Sequence, residues 1–156
     1  MSRRRAGRAA LAALGALAAA AAGGRALSSA SPAGVGGPLA PCRDDDGSRR
    51  CYRDRRAFAA PPDAVFAAAR AAVPALRGLS IGGPTGEVEA DPAARTLRAT
   101  FRVGLYLDTL RVAVEPDPSG GAVLYARSRS RVWGQDFGVN RRRVRALFAA
   151  VARALP

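Results

Sequence analysis

The chain has 156 residues, 49% hydrophobic and 6% aromatic, which allows one domain around one modest core and leaves no room for a second. Its 25 basic residues are all Arg, against 12 acids, because Lys and His are both absent. A formal charge of +13 favours polyanions or anionic lipid without identifying a partner, and the missing His and Lys remove the commonest general base and any Schiff-base chemistry.

Ser2-Arg3-Arg4-Arg5 and Arg8 precede an uncharged run from Ala9 to Ala22, followed by Gly23-Gly24-Arg25 and small residues through Ala30. This is the layout of a cleaved targeting segment over residues 1–30, with Ser28-Ser29-Ala30 as the cleavage site. The apolar run is 14 residues of mostly Ala and Leu, too short for a spanning helix. The early Arg pair points to twin-arginine export, although the later apolar and Lys positions of that motif are missing. A plastid transit sequence leading to the thylakoid lumen and a plain basic tail are the other readings. Removing residues 1–30 takes away five Arg and no acid, leaving 20 against 12, still a net charge of +8.

Residues 31–50 mix Pro, Gly, Ser and charges without periodicity and read as a linker containing Cys42. Cys42 and Cys51 are the only cysteines and flank an Arg/Asp-rich octet. An exported chain permits a disulfide there, worth about 2–3 kcal/mol in the chain-entropy model, while a reducing compartment would leave free thiols. Two cysteines without any His argue against a metal site.

The domain proper is expected over residues 51–156. Tyr52 to Ala60 forms a first strand, and Pro61-Pro62-Asp63 starts a helix whose apolar positions Phe66, Ala69, Val73 and Leu76 recur at helical spacing. Pro74 ends or bends it, with Gly78 where a cap would sit. Alternation then begins, loosely from Gly86 to Ala90 and clearly from Thr96 to Val103, where Leu97, Ala99, Phe101 and Val103 face one way. Leu110, Val112 and Val114 continue it, Pro116 to Gly121 makes a hairpin connection, and Ala122 to Val132 is the last strand. Val144, Leu147, Phe148, Val151 and Leu155 mark a closing amphipathic helix. Strand, helix, four-stranded antiparallel meander and helix make an α+β two-layer sandwich, an order shared by helix-grip and TATA-binding-protein-like arrangements.

Arginines crowd at the junction of the last strand and last helix. Arg127, Arg129 and Arg131 share one strand face, and Ser128 and Ser130 the other. Asn140 reads as the helix N-cap, which puts Arg141, Arg142 and Arg143 in a first turn where the helix dipole disfavours cations. Asp108 and Asp136 are the internal compensators, and a bound anion is the external one.

This last third resembles the domain of unknown function 1499 family of exported bacterial and plastid proteins. The family signature is a strand reading Arg-Ser-small-Ser-Arg-Val, then Asp-Leu-Gly-Val-Asn-Arg leading into the last helix. Arg127, Ser128, Ser130, Arg131, Val132, Asp136, Gly138, Val139, Asn140 and Arg141 match it. Asp108 matches one member of an acidic pair, and Cys51 a cysteine motif whose Pro-Asn is replaced by Arg49-Arg50. Arg129, Trp133 and Thr109 depart from the pattern. The resemblance implies a fold and a patch of residues, and no reaction.

Two readings of that patch compete. In one, Arg127, Arg131 and Arg141 converge on a phosphate, sulfate or carboxylate beside the helix start. In the other, which is favoured, Arg131 and Arg141 pair with Asp136 and Asp108 and brace the corner. No phosphate loop or dinucleotide fingerprint is present, no cofactor is implied, and Ser128 and Ser130 lack an activating base. Glu87 and Glu89 read as solvated strand residues rather than a catalytic pair, Trp133 as core-edge packing, and Tyr106 and Tyr125 as sheet-face packing, short of a stacking platform for nucleic acid. The expectation is an exported, non-enzymatic accessory or binding domain, periplasmic or lumenal. Its partner is an anionic small molecule or a membrane-associated complex. A lipid carrier with an apolar pocket between Phe66, Phe101 and Phe148, and an enzyme of unrecognised type, are the alternatives.

Overall fold

The computed structural model describes residues 38–40, 42, 50–76, 84–131 and 136–156. The targeting segment, most of the linker, Gly78, Val132 and Trp133 lie outside the described residues. The elements are β1 (Cys51–Phe58), α1 (Pro62–Ala72), β2 (Glu89–Asp91), β3 (Thr96–Val103), β4 (Tyr106–Pro116), β5 (Ala122–Ser130) and α2 (Val139–Ala154). The strands form one antiparallel sheet in the order β1-β5-β4-β3-β2, so the first strand closes against the last strand of the meander. This is the expected two-layer α+β sandwich, with five strands in its sheet.

Proline sets both ends of α1. Pro62 occupies the first helical position, where its missing N–H is no loss, and Pro74 turns the chain into a single 3-10 turn over Val73–Ala75. Between β2 and β3 the Asp91 carboxylate accepts the Ala94 N–H at 3.0 Å and closes the turn through Pro92. β2 is shorter than expected and begins at Glu89, leaving Glu87 before the strand.

Alternation along the strands delivers two unlike faces. Phe58, Leu97, Ala99, Phe101, Leu110, Val112, Val114, Leu124 and Ala126 point to one side and join Val65, Phe66 and Val73 of the α1 segment and Val144, Leu147, Phe148 and Val151 of α2 in one buried cluster. The phenylalanines flagged as walls of an apolar pocket are packed against that cluster. On the opposite face Leu39 lies on Ala113 and Tyr125. Cys42 is disulfide-bonded to Cys51, with Cα atoms 5.7 Å apart. The expected linker is thus partly laid onto the sheet.

The β4–β5 connection depends on a glycine. Asp117 accepts both the N–H and the hydroxyl of Ser119, and Gly121 has a φ of +90°. A Cβ at Gly121 would run into the Phe58 carbonyl of β1, so the side chain is excluded by conformation and by space. Gly121→Ala is expected to cost on the order of 2–3 kcal/mol, read as a lowered urea midpoint, whereas Gly86→Ala, where a Cβ meets nothing, stays near wild type.

Candidate functional site

The junction of β5 with α2 is a sealed polar corner. Ser128 and Asn140 are fully buried and Arg143 is 3% exposed. The Ser128 hydroxyl donates to Asn140 Oδ1 at 2.6 Å, and Arg143 Nη1 donates to both Ser128 Oγ at 2.7 Å and Asn140 Oδ1 at 3.0 Å. Asn140 Nδ2 donates to the Arg50 carbonyl at 2.9 Å and to Ser130 Oγ at 3.1 Å. All the capacity of the Asn140 amide is thereby used, and it joins α2 to β5 and to the chain entering β1.

Asp108 closes the corner. Its Oδ2 stands 2.9 Å from Arg143 Nη2, off the line of a hydrogen bond, so the contact is ionic. The guanidinium also lies 4.6 Å over the Phe101 ring, where the ring face attracts a cation. Burial pulls the Arg143 guanidinium below the ordinary arginine range, and the charges of Asp108 and then Asp136 oppose that shift.

The helix begins one residue before the expected cap. Val139 is its first residue, Gly138 adopts a φ of +77° ahead of it, and Asp136 supplies the cap: its carboxylate accepts the Gly138 N–H at 2.9 Å and the Asn140 N–H at 3.0 Å. Asn140 is therefore not the N-cap but the inward anchor of the first turn. Nor do Asp108 and Asp136 pair with Arg131 and Arg141. Asp108 is taken by Arg143, Asp136 by backbone N–H groups, and Arg131 Nε donates to Thr109 Oγ1 at 3.1 Å. Arg141 is exposed and does not line the cavity that Arg127 and Arg131 share. Arg143 lies outside the set read from sequence, yet its spacing announced it. Asn140, Arg143, Val144 and Leu147 fall on one helical stripe, three and four residues apart, and that stripe is buried.

The arginines of β5 serve the other face. The register sets Arg53 of β1 opposite Arg127, Arg127 opposite Arg111 of β4, Arg111 opposite Arg98 of β3, and Arg98 opposite Glu89 of β2. Four cations thus form one row across four strands, ended by a 3.3 Å ion pair between Arg98 and Glu89. Above this row opens a cavity of about 480 Å³ lined by Arg98, Arg111, Arg127, Arg129 and Arg131 with Thr109. Burial lowers the Arg127 pKa first, and the charges of Arg129, Arg111 and Arg53 lower it further. The Nε atoms of Arg127 and Arg98 are sealed from solvent without a hydrogen-bond partner. Sequence reading found the shared face of Arg127, Arg129 and Arg131 but not Arg53, Arg98 and Arg111, which join them only through register.

Tyr125 packs as expected, under Leu39, whereas Tyr106 is half exposed at the start of β4.

The molecule is thus an α+β domain whose helix-covered sheet carries a sealed polar corner on one face and an open cationic cavity on the other. The chain belongs to the family described as Protein of unknown function (DUF1499), whose model matches residues 38–151. No curated protein matches it. Among solved structures it is similar to Ara h 8.0201 at 14% identity and a TM-score of 0.47, over 67% of this chain and 95% of that one. It is similar to TTHA0849 from Thermus thermophilus at 16% identity and a TM-score of 0.47, over 67% and 95% of the two chains. Protein CV1439 from Chromobacterium violaceum gives 16% identity and a TM-score of 0.48 over 67% and 96%.

Breaking the buried ion pair leaves an uncompensated charge, so Arg143→Met is expected to cost about 3–5 kcal/mol in urea unfolding. Adding Asp108→Leu removes the orphaned carboxylate, and the double variant should be more stable than Arg143→Met alone. Additive losses would show that the two residues act separately.

Proposed function

We propose that this is an exported, non-enzymatic accessory domain that binds a small ligand bearing two or more oxyanion groups on the outer face of its sheet. The carrying observation is the row of arginines from β1 to β3, of which Arg127, Arg111 and Arg98 line the cavity. Like charges directly opposite one another destabilise a sheet. Here four stand in register, and Arg127, whose Nε is sealed from solvent, lacks an internal counter-charge among the described residues. A fold selected for stability alone has no use for that arrangement.

Chemistry narrows the ligand. Guanidinium forks recognise phosphate, sulfate and carboxylate oxygens by paired N–H donors. Strands are about 4.8 Å apart, so Arg127, Arg111 and Arg98, the members of the row that line the cavity, span roughly 10 Å, more than one tetrahedral anion covers. The cavity volume of about 480 Å³ lies in the range that holds a small organic ligand. The corner of Asp108, Ser128, Asn140 and Arg143 is structural in this reading, since its side chains face one another and are shut away from water. The disulfide between Cys42 and Cys51 supports an oxidising compartment such as a periplasm or a plastid lumen.

Arg127 makes ligand binding and stability pull in opposite directions. Burial and three neighbouring cations disfavour its charged form in the folded state, so Arg127→Met is expected to raise the melting temperature at low salt, by an amount that shrinks as NaCl is added. The same substitution should abolish the thermal shift produced by inorganic tripolyphosphate, which in the wild-type chain exceeds that of monophosphate at equal ionic strength. A tripolyphosphate response unchanged in both Arg127→Met and Arg111→Gln would overturn the assignment.

A further inference from the structure

The described large apolar side chains that remain exposed share one end of the sandwich. Leu105 is 91% exposed, Phe137 81% and Tyr106 51%. Leu105 sits at the tip of the β3–β4 hairpin, where Val103 pairs with Tyr106 and Gly104 takes a φ of +61°. Phe137 is brought to the same end by the polar corner. The Arg131 N–H donates to the Leu107 carbonyl at 3.0 Å, Ser130 pairs with Asp108, and Asn140, three residues after Phe137, holds Ser130 Oγ. Tyr106 shares the alternation of Asp108 and therefore projects to the helix side of the sheet, the side of Phe137.

The display of Phe137 is built, not incidental. Its φ of +48° is an uncommon conformation for a bulky residue. Two contacts hold it: Asp136 accepts the following Gly138 N–H, and Arg142 Nη2 donates to the Phe137 carbonyl at 2.8 Å. Nothing in the core gains from that conformation, since the ring it presents stands in water.

Charge at this end is one-sided. Arg102, Arg131, Arg141 and Arg142 are exposed around the apolar residues. The neighbouring acids Asp108 and Asp136 are turned inward, one onto Arg143 and the other onto the start of α2. Convex apolar tips inside a cationic rim suit a fluid interface bearing negative charge, because Leu and Phe settle at the headgroup and acyl boundary, Tyr prefers the interface, and arginines meet the headgroups. We infer that this end, formed by Leu105, Tyr106 and Phe137 with the surrounding arginines, docks the domain peripherally on an anionic lipid surface. The inference does not rest on the ligand in the arginine-lined cavity, with which this end shares Arg131 alone of the arginines named.

Co-sedimentation of the full chain with vesicles tests it, using phosphatidylcholine alone and phosphatidylcholine mixed with phosphatidylglycerol. The wild-type chain should bind the mixed vesicles more tightly. Leu105→Ser/Phe137→Ser should weaken that binding by about tenfold or more at an unchanged melting temperature, since both side chains are already exposed and the fold does not use them. Arg102→Gln/Arg141→Gln should remove the preference for phosphatidylglycerol. Wild-type affinity in the Leu105/Phe137 double variant would overturn the inference, whether the apolar N-terminal segment or the arginine face carried the binding. Release of the wild-type chain by soluble glycerol phosphate would overturn it too, by showing that a headgroup pocket and not a surface is recognised. So would a change of oligomeric state in the double variant without a change in vesicle affinity.

Discussion

One buried cation fixes the geometry of this domain. Taking a guanidinium out of water costs several kcal/mol, and Arg143 recovers that only because an ionised Asp108, two hydrogen-bond acceptors and the face of Phe101 meet it at once. Each partner comes from a different part of the chain: Asp108 from β4, Ser128 from β5, Phe101 from β3 and Asn140 from the helix itself. Any rotation or slide of α2 would separate at least one of them. Apolar packing alone tolerates small rearrangements, whereas a charge in a dry interior does not. The helix dipole adds a further demand, since three arginines at the start of α2 face its positive end. Asp136 satisfies the exposed N–H groups there and also adds negative potential at Arg143.

The corner determines what happens on the opposite face. Ser128 and Ser130 are committed inward to Asn140, and strand alternation then sends Arg127, Arg129 and Arg131 outward without further choice. Antiparallel pairing carries the consequence across the sheet, since the β4–β5 register that places Asp108 beside Ser130 also places Arg111 beside Arg127, and the β3–β4 register that places Phe101 beside Asp108 places Arg98 beside Arg111. A slip of one residue would bury the arginines and expose Leu110 and Val112, so the core and the cationic face specify each other. The like-charge row is the stability cost of that arrangement, and the apolar cluster between sheet and helices bears it.

How much of this was legible in the sequence depended on whether the deciding interaction was local. The alternation of Leu97, Ala99, Phe101 and Val103 and the helix start at Pro61-Pro62-Asp63 are written in short stretches of chain, and the structure has both. The division of Arg127, Arg129 and Arg131 from Ser128 and Ser130 is equally local. Asp108 stands out in the sequence as a compensating acid, but its partner is Arg143, which in the sequence looks like one more solvated cation in a basic turn. Only its place on the stripe with Asn140, Val144 and Leu147 betrays it. The start of α2 was misjudged for a related reason: Asn140 is a favourable N-cap residue, but Asp136 lies upstream of a left-handed glycine and takes that duty from outside the helix. Arg53, Arg98 and Arg111 were invisible as a group because register is a long-range property. None of the three is near another in sequence.

Leu39 shows why the cationic face does not extend over the whole sheet. One step along from the arginine row, β5 presents Tyr125 and β4 presents Ala113, an apolar pair that would otherwise stand in water. Leu39 covers them, and the disulfide between Cys42 and Cys51 ties that covering segment to the first residue of β1. The outer face is thereby divided between an apolar half closed by the chain's own segment and a cationic half left open. A hydrophobic cover is favourable over Tyr125 and Ala113 but not over Arg111 and Arg127, whose guanidinium groups lose hydration without gaining a partner. The same segment therefore cannot seal both halves, and the half left open is the one that carries the arginine row.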